Sequence, residues 1–198
     1  MDLFNDNGRT SILAHDGTVN YYGAIMSLRE ADRHYNALYD TLEWRHDEAH
    51  ILGKHFITPR KVAWYGDKDF SYTYSGITKT ALCWTPGLLE LKRLVEGLTG
   101  STYNSCLANL YHNGSEGMAW HSDDEKMLGT TIASLSFGAE RKFSFKHKRT
   151  KETASLILAH GSLLVMKDET QLNWMHRLPP TTKIKRPRIN LTFRTIIA

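Results

Sequence analysis

The chain has 198 residues, 41% hydrophobic and 23% charged, with a net charge of +4, which places it among soluble globular proteins with one buried core. No stretch is apolar for long enough to span a bilayer, since even "ASLILAHGSLLVM" is broken by His160, Gly161 and Ser162. The opening "MDLFNDNGRT" has acids where a secretory signal needs basic residues, and Cys83 and Cys106 form no zinc motif. The expected setting is therefore a reducing intracellular one, cytoplasmic for a prokaryotic source and nuclear for a eukaryotic one.

Helical signals come first along the chain. "SLREADRHYNALYDTLEW" begins with Ser27 and Glu30 at capping-box spacing, and Leu28, Ala31, Tyr35, Leu38 and Leu42 form its apolar stripe. "TPGLLELKRLVEGLTG" predicts a second helix, with Thr85 as N-cap, Pro86 at the first position and Gly100 as the stop. Leu88, Leu91, Leu94, Val95 and Leu98 make its buried face. Beyond Gly100 the texture changes. "CLANLY", "TIASLSFG", "RKFSFKHK", "ASLILAHGSLLVM", "NWMHRL" and "RINLTFRTII" are short, β-branched or aromatic runs between turn residues. Closely spaced short strands predict an antiparallel double sheet, and the chain reads as α+β with the helices on one outer face.

Three side chains in this strand-rich half suggest a metal. "MAWHSDDEKM" reads as a strand in which His121 and Asp123 share a face, and His176 in "NWMHRLPP" can return to them. Two histidines and a carboxylate on a β-core form the facial triad of non-haem Fe(II) oxygenases. In "RPRINLTFRTII", Arg188, Asn190, Thr192 and Arg194 alternate onto one face, and in "CLANLY" so do Asn109 and Tyr111. Guanidinium groups grip carboxylates bidentately, so two arginines there suit a dicarboxylate such as 2-oxoglutarate.

These segments in order, "NLYHNGSEGMAWHSDDE", "ASLSFGAERKFSFKHK", "LAHGSLLVMK", "WMHRLPP" and "PRINLTFR", with "TPRKVAWYGD" and "YTYSG" before them, resemble the AlkB family of nucleic-acid dealkylases. The likeness covers about residues 50 to 197 and points to the branch that holds the eukaryotic duplex-repair members. It implies a jelly-roll core, Fe(II) held by His121, Asp123 and His176, and 2-oxoglutarate and O₂ as co-substrates. Arg188 would hold the distal carboxylate of 2-oxoglutarate and Arg194 would sit near its chelating end, with Asn109, Tyr111 and Asn190 completing the pocket. Tyr72 and Tyr74 would wall the flipped base, Glu125 would face it, and Ile51 and Leu52 would form a hairpin finger that fills the gap in the duplex.

The implied reaction is oxidative demethylation of bases such as 1-methyladenine or 3-methylcytosine, releasing formaldehyde. The implied partner is alkylated DNA, single- or double-stranded, with RNA left open. The expected protein is a monomer off the membrane, forming one domain. Its parts are a helical extension over 1–50, a nucleotide-recognition region over 51–105 and a jelly-roll core over 106–198. Two alternatives stand beside this: a non-catalytic nucleic-acid binder on the same fold, and a 2-oxoglutarate-dependent hydroxylase of protein or small molecules. Trp120 is expected in the core, Asp124 facing away from the metal toward an arginine, and Lys142, Ser144, Lys146 and Lys148 as a phosphate stripe. "KHKRTKETASL" is short where eukaryotic relatives carry a longer basic insertion.

Overall fold

The computed structural model describes residues 10–51, 54–74, 77–125 and 127–197. In chain order the elements are β1 (Thr18–Ala24), α1 (Leu28–Thr41), β2 (Arg45–Ile51), β3 (Lys54–Gly66), β4 (Ser71–Tyr74), β5 (Ile77–Thr80), β6 (Leu82–Cys83) and α2 (Pro86–Thr99). There follow β7 (Ser105–Tyr111), β8 (Met118–His121), β9 (Ile132–Gly138), β10 (Arg141–His147), β11 (Thr153–Leu158), β12 (Ser162–Lys167), α3 (Thr170–Asn173), β13 (Trp174–Leu178) and β14 (Arg188–Arg194).

Two sheets face each other in a jelly roll. The larger runs β1-β12-β9-β14-β7-β3-β2, with β6 added beside β3, and the smaller runs β11-β10-β13-β8. Alternation along the strands sends one set of side chains to each face. On the outer face of the large sheet, Ala108, Leu110, Leu135, Phe137, Leu163, Ile189 and Leu191 pack with Ala31 and Leu38 of α1 and with Leu88, Leu91 and Val95 of α2. Between the sheets the filling is divided. Val19, Ile132, Leu164 and Met166 meet Phe145, Leu158 and Trp174 in an apolar cluster. Farther along, the same interior face of the large sheet carries Ser134, Ser136, Asn190, Thr192 and Asn109, all buried. A buried polar strip costs stability unless it is fully paired, so it marks where function has displaced packing.

Both helices predicted from the sequence, α1 and α2, carry the caps expected. Ser27 and Glu30 form the reciprocal capping box, and the Thr85 side chain accepts from the Leu88 N–H. Their stripes are narrower than expected, because Leu28, Leu94 and Leu98 are exposed while His34 takes a buried place on α1. The first fifty residues are more than a helical extension: β1 pairs antiparallel with β12 at the edge of the large sheet, and β2 pairs with β3. The strand predicted through Asp123 ends at His121, where the polar run "SDDE" has little affinity for a sheet. Gly117 lets the chain entering β8 approach β13 closely, since a Cβ there would collide with the Leu178 carbonyl oxygen.

Candidate metal and co-substrate site

β8 and β13 place the two histidines. His121 and His176 are direct antiparallel partners in the small sheet, so they project to the same face, and their rings lie 4.2 Å apart. Asp123 stands just past the strand end, with one carboxylate oxygen 3.9 Å from His121 Nε2 and the other 3.9 Å from His176 Nε2. The three ligand atoms lie within 4.8 Å of one another, too far apart for hydrogen bonds and close enough for one ion to touch all three. His121 Nδ1 is 2.8 Å from the Ala119 carbonyl oxygen. A carbonyl only accepts, so that nitrogen carries the proton and Nε2 keeps its lone pair for a metal.

Because Asp123 is outside the strand, other contacts must fix it. Its N–H donates to Gln171 Oε1 at 3.0 Å, and Arg194 donates to its carboxylate at 2.7 Å. Burial alone would raise the Asp123 pKa, but Arg194, followed by His176 and His121, holds it below the ordinary carboxylate value. Burial pushes His176 down to about 3, so its ring is neutral and available as a ligand at physiological pH. Next along the loop, Asp124 pairs with Lys148 at 3.2 Å, a lysine where an arginine was expected.

The large sheet carries the residues expected to meet an anion. β14 runs between β7 and β9, with Arg188 opposite Tyr111 and Asn190 opposite Asn109. Arg188 is only 2% exposed, and donates to Ser136 Oγ at 2.9 Å and Asn190 Oδ1 at 2.6 Å. Its guanidinium lies 5.6 Å from the centre of the Tyr111 ring. Burial lowers its pKa to about 10, which leaves it charged near neutrality. Its Nε–H is buried without an acceptor, and no carboxylate among the described residues pairs with it. An uncompensated buried cation is costly, and a carboxylate brought in by a ligand would offset it. Asn190 spends its amide on neighbours: its oxygen accepts from Ser134 and Arg188, and its nitrogen donates to Thr192.

The remaining expected residues are dispersed. Glu125 is exposed on the loop after β8. Tyr72 and Tyr74 both lie in β4, two apart, and Ile51 ends β2 opposite Lys54; for these three only the backbone is described. Leu52 lies outside the described residues. Trp120 is not in the core. It sits half-buried on the outer face of the small sheet, with the Arg177 guanidinium carbon 4.5 Å and Lys146 Nζ 4.6 Å from its ring centre. The proposed basic stripe is incomplete, because Ser144 is buried and Lys148 is engaged by Asp124 and the Gln171 carbonyl. His112 pairs with Glu116, and His160 accepts from the Gly138 N–H.

Two residues escaped the sequence reading. Gln171 lies in "ETQLN", which carries no signal of its own. Arg60, buried beside Asn109, lies in "TPRKVAWYGD", where a proline inside a long strand signals a bulge.

The site defines a class of protein, a jelly roll in which a two-histidine, one-carboxylate triad faces a buried arginine suited to a dicarboxylate. Comparison with known proteins agrees. The family model described as the 2OG-Fe(II) oxygenase superfamily matches residues 18–194. The DNA oxidative demethylase ALKBH2 of Mus musculus is 40% identical over 189 residues, which cover 89% of this chain and 79% of that protein. The alpha-ketoglutarate-dependent dioxygenase alkB homolog 3 of Bos taurus is 41% identical over 184 residues, covering 87% and 64%. A 2OG-Fe(II) oxygenase structure from Burkholderia pseudomallei superposes with a TM-score of 0.59 at 12% identity, covering 91% of this chain and 85% of that one, a likeness of fold alone.

The chain belongs to the AlkB family within the 2OG-Fe(II) oxygenase superfamily. It is an Fe(II)/2-oxoglutarate-dependent dioxygenase, with O₂ as the second co-substrate. No helix among the described residues is long and apolar enough to cross a membrane.

Proposed function

We propose that this chain removes N-alkyl groups oxidatively from bases of the 1-methyladenine and 3-methylcytosine type in DNA, a direct reversal that releases formaldehyde. The observation that carries the reading is the buried, uncompensated Arg188 beside Tyr111 in the same interior as the His121–Asp123–His176 cluster. The relatives named as DNA oxidative demethylases supply the substrate class. Bound iron with 2-oxoglutarate would activate O₂ and supply the oxidation of the alkyl carbon.

The protein's share is placement. His121, Asp123 and His176 would hold the ion, while Arg188 and Asn109 would hold the co-substrate, with Tyr111 and Asn190 supporting Arg188. Arg194 would keep the Asp123 carboxylate ionised and aimed. Tyr72, Tyr74 and Glu125 would receive the extruded base, which costs less to flip when its pairing is already lost. The chain acts as a monomeric single domain, in which the nucleotide-recognition region over 51–105 also lends β3 and α2 to the core. It works inside the cell, in the nucleus if the source is eukaryotic and in the cytoplasm if prokaryotic.

Turnover on matched methylated single-stranded DNA, duplex DNA and RNA, scored by formaldehyde and intact mass, tests this directly. Demethylation of DNA is expected, and none on any of the three would overturn it. Arg188→Lys keeps the charge and loses the fork, so the 2-oxoglutarate requirement should rise about tenfold or more. If Ile51 and Leu52 form a wedge, replacing both by alanine should depress duplex repair far more than single-strand repair, at nearly unchanged melting temperature.

A further inference from the structure

The Asn109 amide, like that of Asn190, turns its oxygen to an arginine, here Arg60. Arg60 Nη1 donates to Asn109 Oδ1 at 2.6 Å, while Nη2 of the same guanidinium pairs with Asp47. An arginine has no acceptor, so the Asn109 amide must turn its oxygen toward Arg60. Its NH₂ group, with two donors, is then what Asn109 offers elsewhere. A carboxylate-bearing co-substrate needs donors, and an amide turned the other way would meet it with an oxygen.

The fold builds this contact deliberately. β2 and β3 pair regularly except between His46↔Lys61 and Glu48↔Ile57, where Thr58, Pro59 and Arg60 stand against Asp47 alone. Pro59 has no N–H to give the ladder, and Thr58 Oγ1 donates to the Arg60 carbonyl oxygen at 3.0 Å, closing the bulge. Bulges beside active sites re-aim a side chain, and here the result is a 9%-exposed arginine on the Asn109 side of the sheet. Asp47 balances its charge from β2. Arg60 and Thr58 also line a cleft of about 280 Å³ with Glu116 and Met118.

We propose that Arg60, held by Asp47, is a positioning residue for co-substrate binding: it locks the Asn109 amide with its NH₂ toward 2-oxoglutarate. This rests on the reading of Asn109 as a co-substrate contact. The test measures 2-oxoglutarate binding calorimetrically on the full chain loaded with Mn(II), without O₂-dependent turnover and without DNA, alongside Mn(II) binding itself. Arg60→Met should weaken 2-oxoglutarate binding about tenfold, the worth of one charge-assisted hydrogen bond, and leave Mn(II) affinity unchanged. Arg60→Lys, which keeps one donor for Oδ1, should recover part of the loss. Asp47→Asn should fall between Arg60→Lys and Arg60→Met.

Asn109→Leu should lose at least as much as Arg60→Met, and the double variant no more than Asn109→Leu alone, because Arg60 acts only through the Asn109 amide. Should Arg60→Met melt early, Arg60→Lys and Asp47→Asn still decide the matter through their separate effects on co-substrate and metal. Wild-type 2-oxoglutarate affinity in those variants, or a double variant whose loss is the product of the two singles, would overturn the assignment of Arg60 alone. A wild-type chain that takes up no 2-oxoglutarate would remove the co-substrate reading together with it.

Discussion

Among the described residues, two clusters each contain two histidines and an aspartate at metal-ligand separations, His121–Asp123–His176 and His15–Asp16–His147. Only the first has the ring nitrogens to bind an ion. In the second, His147 Nδ1 accepts the Thr150 N–H at 3.0 Å, so neutral His147 carries its proton on Nε2, the atom 3.3 Å from Asp16. A metal there would have to displace that proton and leave an imidazolate. Both nitrogens of His15 face carboxylates, Glu152 at 2.8 Å and Asp16 at 3.1 Å. The cluster is an ion-pair clamp that fastens the segment before β1 to the β10–β11 turn and to Trp174, whose indole donates to the His15 carbonyl. Proximity of ligand residues is therefore a weak criterion, and the partner of the second ring nitrogen decides.

The sharpest way to break this contrast is to remove each aspartate. Asp123→Ala should abolish Fe(II)-dependent formaldehyde release, a loss of about a hundredfold or more. Its melting temperature should fall, because Arg194 loses its carboxylate partner, but the chain should still fold since the core is filled without the ion. Asp16→Ala should keep both turnover and a single Mn(II) site per chain. If Asp16→Ala lost metal and Asp123→Ala kept it, the two assignments would have to be exchanged.

A smaller effect should sharpen the first cluster. Gln171 reaches the Asp123 N–H from α3 and is 6% exposed. Gln171→Leu removes the acceptor while nearly preserving volume, so Mn(II) affinity should fall about tenfold, as is usual when a ligand's support is lost. An unchanged Mn(II) titration would mean that Arg194 alone suffices to place the loop.

The smallest expected effect separates the clusters by pH in the metal-free protein. His176 is held far below its ordinary value, so on acidification the unfolded chain takes up a proton that the folded chain refuses. Stability should therefore fall as pH drops from about 6.5 toward 3. His15 has the opposite sign, raised first by its hydrogen bond to Glu152 and then by that to Asp16. Its contribution is complete below about 6.5 and fades as pH rises through the raised value. His15→Gln should thus lower the melting temperature more at pH 5.5 than at pH 8, whereas His176→Gln should flatten the acid limb. Equal pH dependence in both variants would deny the difference between the clusters. The shift at His15 should be slight, since the residue is exposed and its ion pairs are screened.

Local chemistry alone decided much of this protein. The capping box at Ser27, the Thr85–Pro86 start and the period-two runs after Gly100 are short-range signals, and the elements they announce are present. His121, Asp123 and His176 come together as their types and order suggested, even though the strand supposed to join His121 to Asp123 ends between them, and Arg188 is buried on β14. What the chain could not declare locally depends on residues far apart in sequence. β1 reaches the large sheet through its pairing with β12, Trp120 meets Lys146 and Arg177 on the outer face of the small sheet, and Asp123 is aimed by Gln171 and Arg194. The turning of Asn109 by Arg60 spans 49 positions. Propensity and alternation act over a few residues, whereas amide orientation, ring-nitrogen use and the balance of a buried charge are fixed by whichever partners the topology delivers.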